Sequence, residues 1–166
     1  LKKLLPGLTN KNAAKEFYLT DIVGLANQTG IKVKPILLEN PAEALGANTV
    51  IELLELERAC QKDIAIKIVE SGVRVADLER IDIRGSLKGG RGSFIDVNNV
   101  FVGRVVLGTN VSIGPNCFIK DSIIGNGSTI KANTVIEDSK IGPKCSLGPF
   151  ARTRGGAELE ASSEIG

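Results

Sequence analysis

The sequence predicts a mainly β chain, a parallel β-helix of six-residue repeats led by one long helix and a mixed α/β segment. Three observations predict it. Large apolar residues recur at six-residue spacing through the second half, and a small or β-branched residue stands two positions before nearly every one. A capped, amphipathic stretch of about twenty residues separates that half from an irregular beginning.

The repeat reads Leu107, Ile113, Ile119, Ile124, Ile130, Ile136, Ile141 and Leu147, extended by Ile95, Phe101, Thr153, Leu159 and Ile165. Thr153 is the one polar occupant. The small partners are Val105, Val111, Cys117, Ser122, Ser128, Thr134, Ser139, Cys145, Ala151, Ala157 and Ser163. Strand side chains alternate, so the large residue and the small one two before it point inward together. Gly after a slot, and Asn three after it at Asn98, Asn110, Asn116 and Asn133, are expected to supply the unusual dihedrals of tight corners. The spacing shortens to five at Ile119→Ile124 and Ile136→Ile141, three slots apart. That predicts three hexapeptides per coil with one side trimmed each time, a triangular section with sides of roughly 20 Å at strand rise. Cys117 and Cys145 are expected in this core.

Ahead of the repeat, Thr49-Val50-Ile51-Glu52 is a capping box, in which the Thr hydroxyl and the Glu carboxylate each satisfy an orphan backbone donor. Leu53, Leu56, Cys60, Ile64 and Ile68 follow at spacings of three and four, and Gly72 ends the helix after Ser71. Cys60 is expected to be buried on this stripe. In residues 1–45, Thr20-Asp21 can cap a short helix through Ala26 that stops near Gly30. Ile31-Lys32-Val33-Lys34 alternates like the start of a strand, and Asn40-Pro41 reads as another helix start. This piece is too short to bury a core of its own.

Composition removes several function classes. Of 166 residues, 21 are Lys or Arg and 19 Asp or Glu, a net charge of +2, which gives no reason to expect nucleic acid or an anionic membrane as partner. No apolar run approaches the ~20 residues of a membrane span. Three Cys at low density suit a reducing compartment, so a cytoplasmic location is expected. The chain contains no Met, which suggests an internal piece of a longer protein, and no His, which removes the commonest general base and the zinc of a γ-class carbonic anhydrase. Arg84–Gly92 (RGSLKGGRG) is basic and Gly-rich but lacks the phosphate-loop spacing and interleaved aromatics, and reads as the first irregular coil. Ile124–Ser128 is a solenoid corner, and Glu137, Asp138 and Glu164 are scattered surface carboxylates. An ice-binding face would need unbroken ranks of Thr. Taken alone, Asn48 reads as help in capping the helix and Arg154 as a solvated side chain.

Read together, these segments resemble a known family. Lys15–Val23 (KEFYLTDIV), Gly46-Ala47-Asn48, Leu53–Arg58 (LLELER), Ile81–Gly85 (IDIRG), Ile95–Asn98 (IDVN) and Gly148–Arg154 (GPFARTR) are similar, in order, to segments of the bifunctional N-acetylglucosamine-1-phosphate uridyltransferase/glucosamine-1-phosphate acetyltransferase. The resemblance implies a left-handed parallel β-helix over 73–166, a helical linker over 51–72, and over 1–50 the C-terminal tail of a nucleotidyltransferase-like α/β domain. It implies a homotrimer in cell-wall precursor synthesis with small-molecule substrates. Glucosamine 1-phosphate would be acetylated from acetyl-CoA, and N-acetylglucosamine 1-phosphate would take a uridylyl group from UTP with Mg²⁺. Asn48 falls on the family's Mg²⁺ and product ligand, Arg154 on its phosphosugar-binding Arg, and Tyr18 and Thr20 on its sugar pocket. The family's catalytic His would lie beyond Gly166, and its Gly-rich loop and metal-binding Asp before Leu1, so this chain alone is expected to be inactive. Two departures stand out: Thr49-Val50 follows Asn48 where the family has Asn-Arg, and Gly155 follows Arg154 where it has Pro. The alternatives are a trimerising β-helical scaffold and another hexapeptide acyltransferase.

Overall fold

The structure, a computed structural model, describes residues 1–38 and 44–166. The helix start expected at Asn40-Pro41 lies outside the described residues. The chain divides into two compact units, Leu1–Ala44 and Leu45–Gly166.

The first unit holds short 3₁₀ turns at Leu5–Gly7 and Leu19–Asp21 and helix α1, Ile22–Gln28. Its described residues bury a single apolar side chain, Ala26, as expected of a segment this short. Helix α1 is entered directly from the 3₁₀ turn, so Asp21 sits at the N-cap with helical dihedrals and no side-chain cap, contrary to the expected Thr20-Asp21 cap. Its end is as expected: Gly30 takes φ +74° and the Ile31 N–H donates to the Ala26 carbonyl at 2.9 Å. The strand expected at Ile31–Lys34 does not form. Among the described residues no chain pairs with it, and Ile31 and Val33 stay exposed, because alternation without a ladder partner cannot hold a strand.

The second unit opens with α2, Val50–Glu70. Thr49 Oγ1 accepts the Glu52 N–H at 3.2 Å, and Glu52 Oε2 accepts the N–H groups of Thr49 (3.2 Å) and Asn48 (2.6 Å), completing the capping box. Gly72 at φ +97° closes the other end. The buried face comprises Gln61, Ala65 and Ile68, not the full stripe read from the sequence. Cys60 is exposed, which corrects the expected core position. The solenoid takes the C-terminal end of the stripe, with Ile68 buried and Ile64 packed against its core, together with the flank at Gln61 and Ala65; nearer the helix start Arg58 donates to the Ile81 carbonyl at 3.0 Å.

The solenoid follows as a left-handed parallel β-helix. One side is a six-stranded sheet of β1 (Arg74–Val75), β3 (Phe94–Ile95), β5 (Ser112–Ile113), β8 (Thr129–Ile130), β11 (Ser146–Leu147) and β13 (Glu164–Ile165). The other two sides form one sheet of β2 (Ile81–Gly89), β4 (Asn99–Leu107), β6 (Phe118–Lys120), β7 (Ile123–Ile124), β9 (Val135–Glu137), β10 (Lys140–Ile141) and β12 (Glu158–Leu159). They join because β2 and β4 pair over nine residues and turn the corner together at Gly85 and Gly103, both at positive φ. Register confirms three sides per coil: Ile95, Ile113, Ile130 and Leu147 stack, as do Phe101, Ile119 and Ile136, and Leu107, Ile124 and Ile141. All ten are buried. The trimmed corner falls at Asp121 and Asp138, both at positive φ, directly after β6 and β9.

The corner chemistry divides two roles that the sequence reading had merged. Asn98, Asn110, Asn116 and Asn133 do take left-handed φ near +60°. Gly108, Gly114, Gly125 and Gly142 do not; they are required because the next coil passes too close. A Cβ at Gly125 would lie 2.5 Å from the Gly142 carbonyl carbon, and one at Gly142 would lie 2.7 Å from the Leu159 oxygen. Gly125→Ala should therefore lower stability by about 1–3 kcal/mol through forced backbone shifts, read as a reduced midpoint in chemical denaturation. An unchanged midpoint would contradict the close stacking. Burial pushes the Cys117 thiol up from its ordinary range, and Cys145 is also buried. A maleimide reagent should accordingly modify one thiol per folded chain, Cys60, and modification of all three without denaturant would contradict the core packing.

Candidate functional site

Arg154 lies where the ladder lapses. The coil above β9 pairs with it only through a bridge, Val135↔Arg152. Two residues on, where the ladder would next use a main-chain carbonyl, the Glu137 N–H donates at 3.2 Å to Thr153 Oγ1. Ser139 Oγ stands 3.0 Å from the same hydroxyl and 3.4 Å from the Arg154 carbonyl. The polar residue in the inward slot thus completes the strand pairing, and its chemistry is structural. Glu137 lends its carboxylate to Arg152 at 3.4 Å. The Arg154 guanidinium is exposed and has no partner among the described residues, so it is free to meet an anion, which a guanidinium grips with paired donors.

Gly155, next in the chain, has no structural obligation. Its φ is not left-handed, and a Cβ there would meet Asp138 at an ordinary 3.7 Å. Gly156 differs, with φ +81° and an N–H donating to the Asp138 carbonyl at 2.7 Å. The corner beside Arg154 is therefore held by one hydrogen-bonded glycine and loosened by another.

Asn48 precedes α2. Its N–H is held by Glu52, while its side-chain amide is exposed and without a partner among the described residues. The structure does not bring Asn48 and Arg154 together. Helix α2 packs on β2 in the first coils, and four coil spacings, about 19 Å at ~4.8 Å each, separate Ile83 from Thr153 in one stack. In the first unit, Thr20 and Asp21 line an open cleft of about 460 Å³ of mixed polarity, with Thr9 and Gln28 on one hand and Leu8 and Leu25 on the other. Tyr18 is not among its lining residues and is 41% exposed.

Asn48 offers one neutral oxygen, and the nearest carboxylate, Glu52, is committed to the capping box. Among the described residues no group of three His, Cys, Asp or Glu could hold a metal ion. Since Mg²⁺ demands a near-octahedral set of oxygens, these residues do not by themselves make a Mg²⁺ site.

Comparison with known proteins decides what the pattern resembles. A family profile described as the GMPPB C-terminal domain matches residues 90–165. Bifunctional protein GlmU of Marinobacter nauticus is 49% identical over 166 residues, all of this chain and 37% of its own. GlmU of Azoarcus sp. is 45% identical over the same span, and that of Legionella pneumophila strain Lens 45%, covering 36% of its length. The chain is similar to GlmU from end to end. It spans a little over a third of the length of these GlmU relatives, and the family resemblance read from its motifs is borne out. Among solved structures, a hexapeptide transferase family protein from Anaplasma phagocytophilum aligns over 58% of this chain and 71% of its own, at 20% identity and a TM-score of 0.48.

The sequence reading missed the hydroxyl chemistry of Thr153; the lapse in strand pairing that explains it is invisible in a periodic pattern. Thr153→Val should leave the Glu137 N–H without an acceptor and cost about 1–3 kcal/mol. Gly155→Ala, which only restricts the unfolded chain, should be neutral or stabilise by about 0.4–1 kcal/mol. Denaturation midpoints that moved the other way for either variant would overturn this account of the corner.

Proposed function

We propose that this chain is part of a bifunctional enzyme of UDP-N-acetylglucosamine synthesis. The solenoid would belong to the half that acetylates glucosamine 1-phosphate from acetyl-CoA, and the first unit to the half that transfers a uridylyl group from UTP to N-acetylglucosamine 1-phosphate. The observation that carries this reading is the match with GlmU proteins over the whole chain, across both units, at 42–49% identity. A solenoid scaffold alone would not account for similarity through residues 1–44. Another hexapeptide acyltransferase is disfavoured for the same reason.

In this reading Arg154 grips the sugar phosphate, and Asn48 contributes one oxygen to a Mg²⁺ and nucleotide site whose remaining ligands these residues do not supply. Tyr18 and Thr20 would sit at the sugar pocket of the uridylyl half. The assembly would be a homotrimer packed solenoid to solenoid, in the cytoplasm, with no nucleic acid or membrane partner. No helix among the described residues is long and apolar enough to cross a membrane.

The 166-residue chain alone should catalyse neither half-reaction. It holds no His to take a proton from the glucosamine amine, and general-base catalysis is worth ~10²–10⁴-fold. Acetyl transfer by this chain at the rate of a full-length bifunctional enzyme would overturn that expectation. In a full-length protein carrying this segment, Arg154→Ala should lose a charge-assisted phosphate contact worth roughly 1.5–3 kcal/mol. That is about ten- to a hundredfold in kcat/KM for acetyl transfer, with uridylyl transfer and melting temperature unchanged. A joint fall of both activities with thermal stability would make Arg154 a structural corner residue.

A further inference from the structure

The solenoid changes coil length beside Arg154. From Val135 to Lys140 the chain takes five residue steps, matched by the five from Phe118 to Ile123 in the coil below. The coil above pairs at Val135↔Arg152 and Lys140↔Glu158, yet takes six steps between them. One residue must therefore stand outside the ladder.

The two registers locate it. Counted forward from Val135↔Arg152, Ile136 meets Thr153; counted back from Lys140↔Glu158, Asp138 meets Gly156. Asp138 and Gly156 share a left-handed corner, at φ +46° and +81°. Glu137 alone is left to face both Arg154 and Gly155. Two residues opposite one are a bulge, which bends its strand and re-aims a side chain. The main chain agrees. Thr153 donates its N–H to the Val135 carbonyl at 3.0 Å and Gly156 its own to the Asp138 carbonyl at 2.7 Å, whereas the N–H groups of Arg154 and Gly155 have no partner among the described residues.

A matched coil would change the electrostatics of Arg154. Residues in register on adjacent parallel strands point the same way at about 4.8 Å, and Lys140 and Glu158, so placed, form an ion pair at 2.6 Å. A single residue over Glu137 would stand on that carboxylate in the same way, and a guanidinium there would be neutralised. Glu137 instead holds Arg152 at 3.4 Å, and Arg154 is exposed with no partner among the described residues.

We propose that the extra residue at Arg154–Gly155 is a positioning device. The bulge holds the Arg154 guanidinium off Glu137 and keeps it free for an anionic group, which, resting on the function proposed above, is the phosphate of glucosamine 1-phosphate. The length of this corner carries the role, not the identity of residue 155, since Gly155 has neither a left-handed φ nor a crowded Cβ position.

Deleting Gly155 tests this in two settings. In the 166-residue chain, the Arg154 Nε–H signal in a ¹⁵N NMR spectrum is assigned by its loss in Arg154→Ala. At native length it should ignore Glu137→Gln; after the deletion it should shift, and Glu137→Gln should then move it again. In a full-length protein carrying this segment, the deletion should raise KM for glucosamine 1-phosphate in acetyl transfer about tenfold or more, with uridylyl transfer unchanged. Gly155→Ala, which keeps the length, should retain acetyl transfer. A signal that answers Glu137→Gln at native length, or ignores it after the deletion, would overturn the proposal. So would a deletion variant that transfers acetyl normally while Arg154→Ala does not. If Arg154→Ala itself spares acetyl transfer, the phosphate reading falls, and the NMR response still decides the bulge. Should the deletion unfold the chain, Arg154→Gly combined with Gly155→Arg keeps the length and should lose acetyl transfer as Arg154→Ala does; a guanidinium that serves equally well from position 155 would overturn the proposal.

Discussion

The second unit depends on one constraint: each coil must lie flat on the last at the spacing of a parallel β-ladder, about 4.8 Å. At that distance the inward slots of successive coils meet in continuous aliphatic columns, and the corners have no room for side chains directed at the neighbouring coil. Gly125 and Gly142 answer the second requirement; Ile119, Ile124 and Ile130, wholly buried, answer the first. Left-handed Asn and Asp at the corners let the chain turn within two residues and keep its N–H groups in the ladder, as where the Asn116 N–H donates to the Val97 carbonyl at 3.1 Å.

The same spacing gives the small inward residues a second role. Ser93 Oγ accepts the Val111 N–H, Ser122 Oγ the Ser139 N–H, and Ser128 Oγ the Cys145 N–H, each at 3.0 Å, while Asn99 Oδ1 accepts the Cys117 N–H at 2.8 Å. These are corner N–H groups that the strand ladder does not reach, and a buried donor without an acceptor costs about 1–3 kcal/mol. A hydroxyl or short amide in the small slot satisfies it and ties coil to coil. Thr134 stands outside this pattern, with a buried Oγ1 that has no partner among the described residues.

Much of this was legible in the sequence because the signals are periodic. The slots, the three-sided coil, the trimmed corner and the capping box of α2 follow from spacing and residue type alone, and the Asn corners appear where expected. What spacing could not reveal is which of two compatible surfaces a neighbour covers. The α2 stripe is a property of the helix, whereas the buried flank at Gln61, Ala65 and Ile68 is set by how α2 meets β2, and Cys60 was misplaced for that reason. The alternation at Ile31–Lys34 is likewise a local property, and a strand needs a partner that the described first unit does not contain. For the site, only the family resemblance singled out Asn48 and Arg154; taken alone, their residue types read as helix capping and surface solvation. Whether their side chains were free depended on partners distant in sequence.

That freedom is the physical content of the candidate site. Several outward charges of the solenoid, Lys88, Lys120, Lys131 and Lys144 among them, are likewise without an ion pair among the described residues, so freedom is a requirement for the site and not its signature. Lys140 holds Glu158 at 2.6 Å, raising its own pKa and lowering that of the carboxyl, and Arg152 holds Glu137. Arg154 holds nothing among the described residues, beside a glycine that neither φ nor packing requires. Thr153, the one polar slot residue, is the piece that makes such a corner stable: its hydroxyl closes the ladder that the backbone leaves open. The repeat is thus mended from inside by Thr153 while Arg154 remains available outside, which is how a regular scaffold can present an irregular binding group without losing the column beneath it.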